Sequence, residues 1–242
     1  MLKILMEGPN ETYTIGQLLK IMKTLRSPNG CPWDREQTHK SIRNDALEEV
    51  YEVADAIDND DSEALCEELG DMLLQVVFHS CIAEEENEFT FEDVVDGICK
   101  KLVLRHPHVF GEANVENSSE VLDLWDSIKK QEKKQTTVTD TLESVPKAFP
   151  SLMRAAKVQK RARKANVSLE NPQDELNANC ELLKQAISSG DKELINTAYS
   201  ACLFNLAGMG QALGINAEEA LNNATNSFIE NIKQAELNGK LF

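Results

Sequence analysis

Apolar side chains recur every three or four positions along most of this chain, which is the spacing of one face of an α-helix. In the first half the pattern predicts helices over residues 14–26, 41–57, 62–86, 90–106 and from 118 into the charged run that ends near 133. In the second half it predicts helices over residues 153–164, 173–189, 191–212 and 216–237. Glycine and proline number only 11 and 7 in 242 residues, so turns are few and the helices are long. The sequence therefore predicts an all-α fold.

Local signals place the ends of some helices and divide the chain. Ser62 is predicted to cap the third helix, and Pro107 to end the fourth. Threonine, serine and proline are frequent over residues 136–152, where a linker is predicted. We expect one domain over residues 1–135 and a second over 153–242. Both halves repeat the same rhythm of helix, polar loop and helix, which suggests an internal duplication.

Charge and hydropathy exclude some classes of partner and some locations. The formal charge is −16, so the surface repels phosphate backbones and direct binding of nucleic acid is not expected. The longest apolar run, residues 72–78, is far too short to cross a bilayer. The amino terminus lacks the pattern of a signal peptide. These features predict a cytoplasmic protein without membrane contact.

Two pairs of acidic residues are the main candidates for chemistry. Glu49 and Glu52 lie three positions apart on one predicted helix, and Glu68 and Asp71 are spaced in the same way on the next. Fifteen residues separate the pairs, which is enough to turn the chain and place the two helices antiparallel. Four facing carboxylates repel one another unless cations lie between them, and hard oxygen ligands suit Mg²⁺ or Mn²⁺. By spacing alone, a solvated helix surface explains the pairs equally well.

These segments resemble the MazG family of nucleoside triphosphate pyrophosphohydrolases. The family's metal motif, E-x-x-E followed by E-x-x-D, stands here as EVYE and ELGD. Three further segments are similar to those of its tandem-domain members: CPWDREQTH (31–39), KLVLRHPHVFGEANVENSSEVL (101–122) and WDSIKKQEK (125–133). The resemblance implies two tandem helical-bundle domains, with a four-helix core completed by dimerisation. It also implies that a Mg²⁺-activated water attacks the α-phosphorus and releases a monophosphate and pyrophosphate.

The same resemblance assigns the metal ligands. The Mg²⁺ ligands, with Mn²⁺ as an alternative ion, would be Glu49, Glu52, Glu68 and Asp71. Glu48 would orient a water molecule, although a surface glutamate is the plain alternative. Where family members often have two consecutive arginines before HPHVF, this chain has Leu104 and then Arg105, which removes one possible phosphate contact.

Basic and aromatic residues complete the predicted substrate site. Lys101 and Arg105 lie four apart on one helix face, and on the resemblance they would bind the triphosphate. Lys129 is a further phosphate candidate, with a solvated lysine as the alternative. Trp33 would stack on the base, or else pack its loop on the bundle.

The second half departs from the family pattern. Alignment along residues 196–214 places Ala198 and Ala201 at the E-x-x-D positions, and the preceding acidic pair falls near Asn177 and Cys180. Ser227 and Asn231 replace the basic positions. This half is expected to have kept its helices and lost catalysis, with a role in dimerisation or regulation. The alternative to an enzyme is a nucleotide- and metal-binding protein that acts through partner contacts.

Overall fold

The computed structural model describes residues 12–132, 136–167 and 171–239, and every regular element in these ranges is an α-helix. The all-α prediction is confirmed. The chain separates into two compact units, Met1–Ile128 and Lys129–Phe242. The first seven helices are α1 (Ile15–Leu25), α2 (Pro32–Glu36), α3 (Asp45–Asp58), α4 (Ser62–Glu85), α5 (Phe91–Arg105), α6 (Pro107–Phe110) and α7 (Ser118–Glu132). The others are α8 (Val138–Glu143), α9 (Ser151–Lys164), α10 (Pro172–Ser189), α11 (Lys192–Ala212) and α12 (Ala217–Leu237).

The first unit is built on an α3–α4 hairpin, with α1 and α5 packed against α4. Its buried core joins apolar faces of α1 and α4 with Ile42, which lies in the turns before α3. Val77 is completely buried at the centre of α4, and Met22 of α1 is 3% exposed. Burying such side chains stabilises a fold by roughly 1.5–3 kcal/mol each, so this contact sets the position of α4. The long helix α4 therefore serves as the rigid support of the unit.

One predicted cap and one predicted helix start in this unit are wrong. The N-cap of α4 is Asp61 and not Ser62, because the Asp61 carboxylate accepts hydrogen bonds from two amides of the first turn. Helix α3 begins at Asp45 and not near residue 41, because Thr38 and Ser41 exchange side-chain and backbone hydrogen bonds in a preceding turn. The fourth predicted helix ends at Arg105, as the position of Pro107 indicates.

The second unit contains a helix within the segment predicted as a linker. Helix α8 lies within residues 136–152, and Thr137 and Asp140 cap it reciprocally. Val145, just after the helix, is 1% exposed. The segment is folded because this capping and burial outweigh the proline content on which the linker prediction rested.

The core of the second unit is an α10–α11 hairpin with α9 packed on α11. The buried amide of Gln159 on α9 donates a 2.7 Å hydrogen bond to the carbonyl of Phe204 on α11. Gly208 faces that amide, and a Cβ there would lie 1.8 Å from the Gln159 Oε1 atom. The close approach of α9 and α11 therefore depends on the missing side chain at residue 208. Among the described helices of both units, none is long and apolar enough to span a membrane.

Candidate active site

Three of the predicted carboxylates meet on the α3–α4 hairpin. One oxygen each of Glu49, Glu68 and Asp71 lies within 4.8 Å of the other two, and all three side chains are partly buried. Glu68 and Asp71 project from the same face of α4 because they are three residues apart, and Glu49 faces them from α3. We call these three residues the carboxylate group. The predicted hairpin is present and brings together three of the four carboxylates of the two acidic pairs.

The carboxylate group concentrates negative charge. Burial raises the pKa of Glu68, and the neighbouring Glu52 raises it further. Burial also raises the pKa of Glu49, with a contribution from Asp71, while a hydrogen bond from Gln75 opposes the shift. A raised carboxyl pKa means that the ionised form is disfavoured in the folded protein. The group is therefore suited to a divalent cation, which would offset the repulsion.

Glu52 and Glu48 lie at the edges of this group. Glu52 is exposed and lines a cavity of about 230 Å³ at the connected end of the hairpin, together with Asp55, Asp61 and Glu68. The cavity is acidic and continues from the carboxylate group. Glu48 is exposed on α3 and is not one of the three converging carboxylates. Its predicted role beside a water molecule stays a prediction.

Gln75 is a site residue that sequence reasoning missed. It follows Asp71 by one turn of α4, and its Nε2 atom donates a 3.4 Å hydrogen bond to Oε1 of Glu49. Its own Oε1 atom is buried and has no hydrogen-bond partner in the described part of the chain. A hydrated cation held by the carboxylates carries water donors that match such an acceptor. The donor set therefore fits a hard divalent cation.

The predicted phosphate-binding residues lie on two other helices. Lys101 is exposed and Arg105 half-buried, one turn apart on α5, which packs against α4. Lys129 lies near the end of α7. None of the three is part of the carboxylate group, so their assignment to phosphate binding remains a prediction.

Trp33 lies on the short helix α2, inside the segment predicted as a loop. Its indole is 58% exposed and meets the ring of Phe78 edge-on, with centroids 6.5 Å apart. One part of the ring therefore packs on α4 while much of it faces solvent, and its stacking on a base stays a prediction.

Arg26 fixes the backbone around Trp33. Its guanidinium forms a two-point ion pair with Glu85 of α4, at 2.8 and 2.7 Å. Its Nη1 atom donates to the carbonyls of Asp34 and Gln37, at either end of the turn that follows Trp33. We call this set of contacts the Arg26 clamp. It ties α1, α2 and α4 into one rigid corner beside the hairpin.

Comparison with known proteins agrees with the motifs of the first unit. A family model described as the MazG nucleotide pyrophosphohydrolase domain matches residues 37–110. A nucleoside triphosphate pyrophosphohydrolase from Escherichia coli (strain K12) is 40% identical over 232 residues, which cover 92% of this chain and 87% of that protein. The chain belongs to the MazG family.

Two further relatives show how the similarity to MazG proteins is distributed. A Thermotoga maritima protein named nucleoside triphosphate pyrophosphohydrolase/pyrophosphatase MazG is 37% identical and covers 91% of this chain and 84% of its own length. A Bacillus subtilis protein, the uncharacterized protein YabN, is 51% identical over 140 residues, or 58% of this chain and 28% of that protein. The shorter match has the higher identity, and the longer ones extend across both units.

The second unit also contains a helical hairpin, α10–α11, and the positions aligned with the metal motif carry no carboxylates there. Ala198 is buried on α11 and Ala201 is half-buried, while Asn177 and Cys180 lie on the partner helix α10. Among the described residues of this unit, no three His, Cys, Asp or Glu side chains converge as a metal site would require. The described part of this MazG chain therefore places its converging acidic chemistry in the first unit.

Proposed function

We propose that this MazG protein hydrolyses nucleoside triphosphates to a nucleoside monophosphate and pyrophosphate at the α3–α4 hairpin. The convergence of Glu49, Glu68 and Asp71 within 4.8 Å carries the proposal. Relatives that cover most of the chain and are named nucleoside triphosphate pyrophosphohydrolases support the same reaction class. A triphosphate can approach this acidic surface only if cations lie between the two, and the carboxylate group is where such cations would bind.

Mg²⁺ is the proposed ion, with Mn²⁺ as the alternative, because both prefer carboxylate oxygens and water as ligands. Its ligands would be Glu49, Glu52, Glu68 and Asp71. When bound, the ion would neutralise phosphate charge and lower the pKa of the water that attacks the α-phosphorus. Gln75 would hold Glu49 in place through its amide and accept a hydrogen bond from water through its buried oxygen.

The remaining predicted residues would position the substrate. Lys101 and Arg105 would bind phosphate oxygens, and Arg105 can do so with two parallel hydrogen bonds. Glu48 would orient the attacking water. Trp33 would contact the base with the exposed part of its ring. Lys129 would add a further positive charge near the phosphates.

The apolar surface of the first unit supports the predicted homodimer. Several large apolar side chains of the hairpin and of α5 are 40–60% exposed in the single chain: Val50, Tyr51, Leu69, Leu73, Val76, Ile98 and Leu102. Monomers rarely expose an extended apolar surface, whereas a second copy would cover it and complete a four-helix core. Light scattering on the intact protein should give twice the mass of 27.0 kDa, and Leu73→Lys should yield monomers.

Product identity in ¹⁸O-labelled water tests the reaction. Each common ribo- and deoxyribonucleoside triphosphate is incubated with and without Mg²⁺, and the products are separated and weighed by mass spectrometry. Attack at the α-phosphorus places the label in the monophosphate and leaves the pyrophosphate unlabelled. Label in the pyrophosphate, or orthophosphate as the only inorganic product, would rule out the proposed reaction.

Matched variants locate the reaction. Asp71→Asn and Glu49→Gln should reduce kcat by more than about a hundredfold, since each removes a charge from the proposed ion site. Glu63→Gln makes the same charge change at an exposed position of α4 and should retain wild-type activity. Nucleotide binding without turnover on every substrate would instead favour a nucleotide- and metal-binding regulatory protein.

A further inference from the structure

The second unit contains a cavity that the reaction in the first unit does not use. Its volume is about 430 Å³, and it lies between the segment before α9, the first turns of α9 and the middle of α11. Pockets for small organic molecules usually measure about 300–1,000 Å³, so the size is adequate for one. Its lining includes two cations, two hydroxyls and two aromatic rings: Lys147, Arg154, Ser151, Ser200, Phe149 and Phe204.

The charges that line this cavity are all positive, although the chain as a whole carries −16. One acidic side chain, from α12, contacts the first turn of α9 and is engaged by backbone amides. Glu218 accepts hydrogen bonds of 3.0 and 3.2 Å from the amides of Leu152 and Met153 and is not part of the lining. An anion entering the cavity would therefore meet Lys147 and Arg154 without a facing carboxylate.

Arg154 differs from the other arginines of α9. Arg161 donates to the Thr141 carbonyl and Arg163 to the Gln211 side chain, both at 2.6 Å. Within the described ranges, the Arg154 side chain makes no hydrogen bond or ion pair, and its Nε atom is fully buried. A buried donor without an acceptor costs about 1–3 kcal/mol, which a bound acceptor would recover. The Arg154 guanidinium therefore has hydrogen-bond donors available for a bound ligand.

The aromatic rings favour a ligand that has a flat apolar part in addition to a negative charge. The Nζ atom of Lys157 lies 5.0 Å from the ring centroid of Phe149, so that ring already contacts a cation next to the cavity. Phe204 remains 45% exposed on the α11 side. A ligand with a flat apolar body can cover such rings and remove their surface from water, which is favourable by about 25 cal/mol per Å².

We propose that this cavity is a second ligand site, which binds a small phosphate-bearing molecule with an aromatic body, such as a nucleoside monophosphate. Arg154 holds the phosphate through its planar fork, and Lys147 adds a point charge. The hydroxyls of Ser151 and Ser200 donate to the phosphate or to the ligand's polar edge. Phe149 and Phe204 contact the aromatic body. The site is separate from the carboxylate group and does not require turnover there.

Calorimetric titration of the full chain tests this site with AMP, inorganic phosphate and adenosine as probes. EDTA is present throughout, so that any metal-dependent binding in the first unit is suppressed. AMP should bind at least tenfold more tightly than either phosphate or adenosine, because only AMP carries both parts. Equal affinity for AMP and phosphate would overturn the proposed contact of the aromatic body with the cavity. Equal affinity for AMP and adenosine would overturn the proposed binding of the phosphate. No heat with any probe would overturn the whole.

Matched variants place the binding in the second unit. Arg154→Met should weaken AMP binding at least tenfold, and Arg154→Lys should fall between the two. Lys160→Met removes one charge from an exposed position of α9 outside the cavity and should stay within twofold of wild type. Asp71→Asn in the first unit should bind AMP normally, which separates this site from the proposed catalytic one. Unchanged AMP affinity in a folded Arg154→Met protein, checked by circular dichroism, would overturn the assignment.

Discussion

The Arg26 clamp predicts a large loss of stability from one substitution, Arg26→Met. Arg26 is 8% exposed, and methionine would keep much of its apolar stem while removing every donor. The carbonyls of Asp34 and Gln37 would each lose a hydrogen-bond donor. Each loss should cost about 1 kcal/mol, because both residues remain partly accessible to water. Glu85 is half-exposed and can rehydrate, so the lost ion pair adds about 1 kcal/mol. The expected decrease in the free energy of unfolding is therefore about 3 kcal/mol.

A neighbouring ion pair provides a matched control. Lys23 and Glu84 join the same two helices at 2.7 Å, but their side chains are 54% and 40% exposed. Lys23→Met makes the same charge change and should cost less than about 1 kcal/mol, since exposed pairs contribute little. Arg26→Lys keeps the charge without the planar fork and should give an intermediate loss.

Urea unfolding followed by tryptophan fluorescence measures these differences. The chain has two tryptophans, Trp33 and Trp125, and both belong to the first unit, so the signal reports that unit. If Arg26→Met and Lys23→Met shift the free energy of unfolding by the same amount, the clamp does not hold the corner and the reasoning is wrong.

Three further outcomes are expected. Glu68→Gln should raise the melting temperature of the metal-free protein near pH 7 by relieving repulsion. It should also lose the stabilisation that Mg²⁺ gives the wild type, a free energy of about 2.7 kcal/mol at a hundredfold excess over Kd. Burial lowers the pKa of His79, so as the pH falls the unfolded chain is protonated at this residue before the folded protein is. The free energy of unfolding of the wild type should therefore fall below about pH 6.5. His79→Gln should show a smaller difference between urea titrations at pH 7.5 and pH 5.5. Gly208→Ala should destabilise the second unit by about 1–3 kcal/mol in circular dichroism melts, because the new Cβ displaces Gln159. Gly97→Ala is the control: nothing lies within 4 Å of its new Cβ, and it should stabilise the first unit by about 0.5–1 kcal/mol.

The carboxylate group could be predicted because its information is local. A spacing of three residues places Glu68 and Asp71 on one helix face whatever the rest of the chain does. The gap between the acidic pairs allows an antiparallel return, and apolar periodicity makes that return stable. Helix type and approximate length followed from the same periodicity, with errors of a few residues at ends where side chains such as Asp61 compete to cap.

Contacts between residues far apart in the chain could not be predicted in this way. Arg26 pairs with Glu85, 59 positions away, and neither residue has a neighbour that indicates the other. Gln75 is uncharged and becomes a site residue only through its contact with Glu49 on another helix. Helix α8 had a readable capping pattern in Thr137 and Asp140, but the composition of the segment favoured a linker. These features depend on tertiary contacts, which the pattern of a single sequence does not reveal.

A last prediction concerns one carboxylate introduced into the α10–α11 hairpin of the second unit. Asp191 caps α11 through two amides of the first turn, just as Asp61 caps α4, so this hairpin has the same kind of cap but no carboxylates at the positions aligned with the metal motif. Ala198 is 5% exposed, and the sequence alignment places it at the first position of the E-x-x-D motif. Ala198→Glu would bury a carboxylate that lacks partners, which either shifts its pKa upward or destabilises the unit. A circular dichroism melt should show a lower melting temperature at pH 7 that recovers towards pH 5 and does not respond to Mg²⁺. Recovery by Mg²⁺ alone would mean that the helices of this unit offer further ligands for an ion, which would contradict this reasoning.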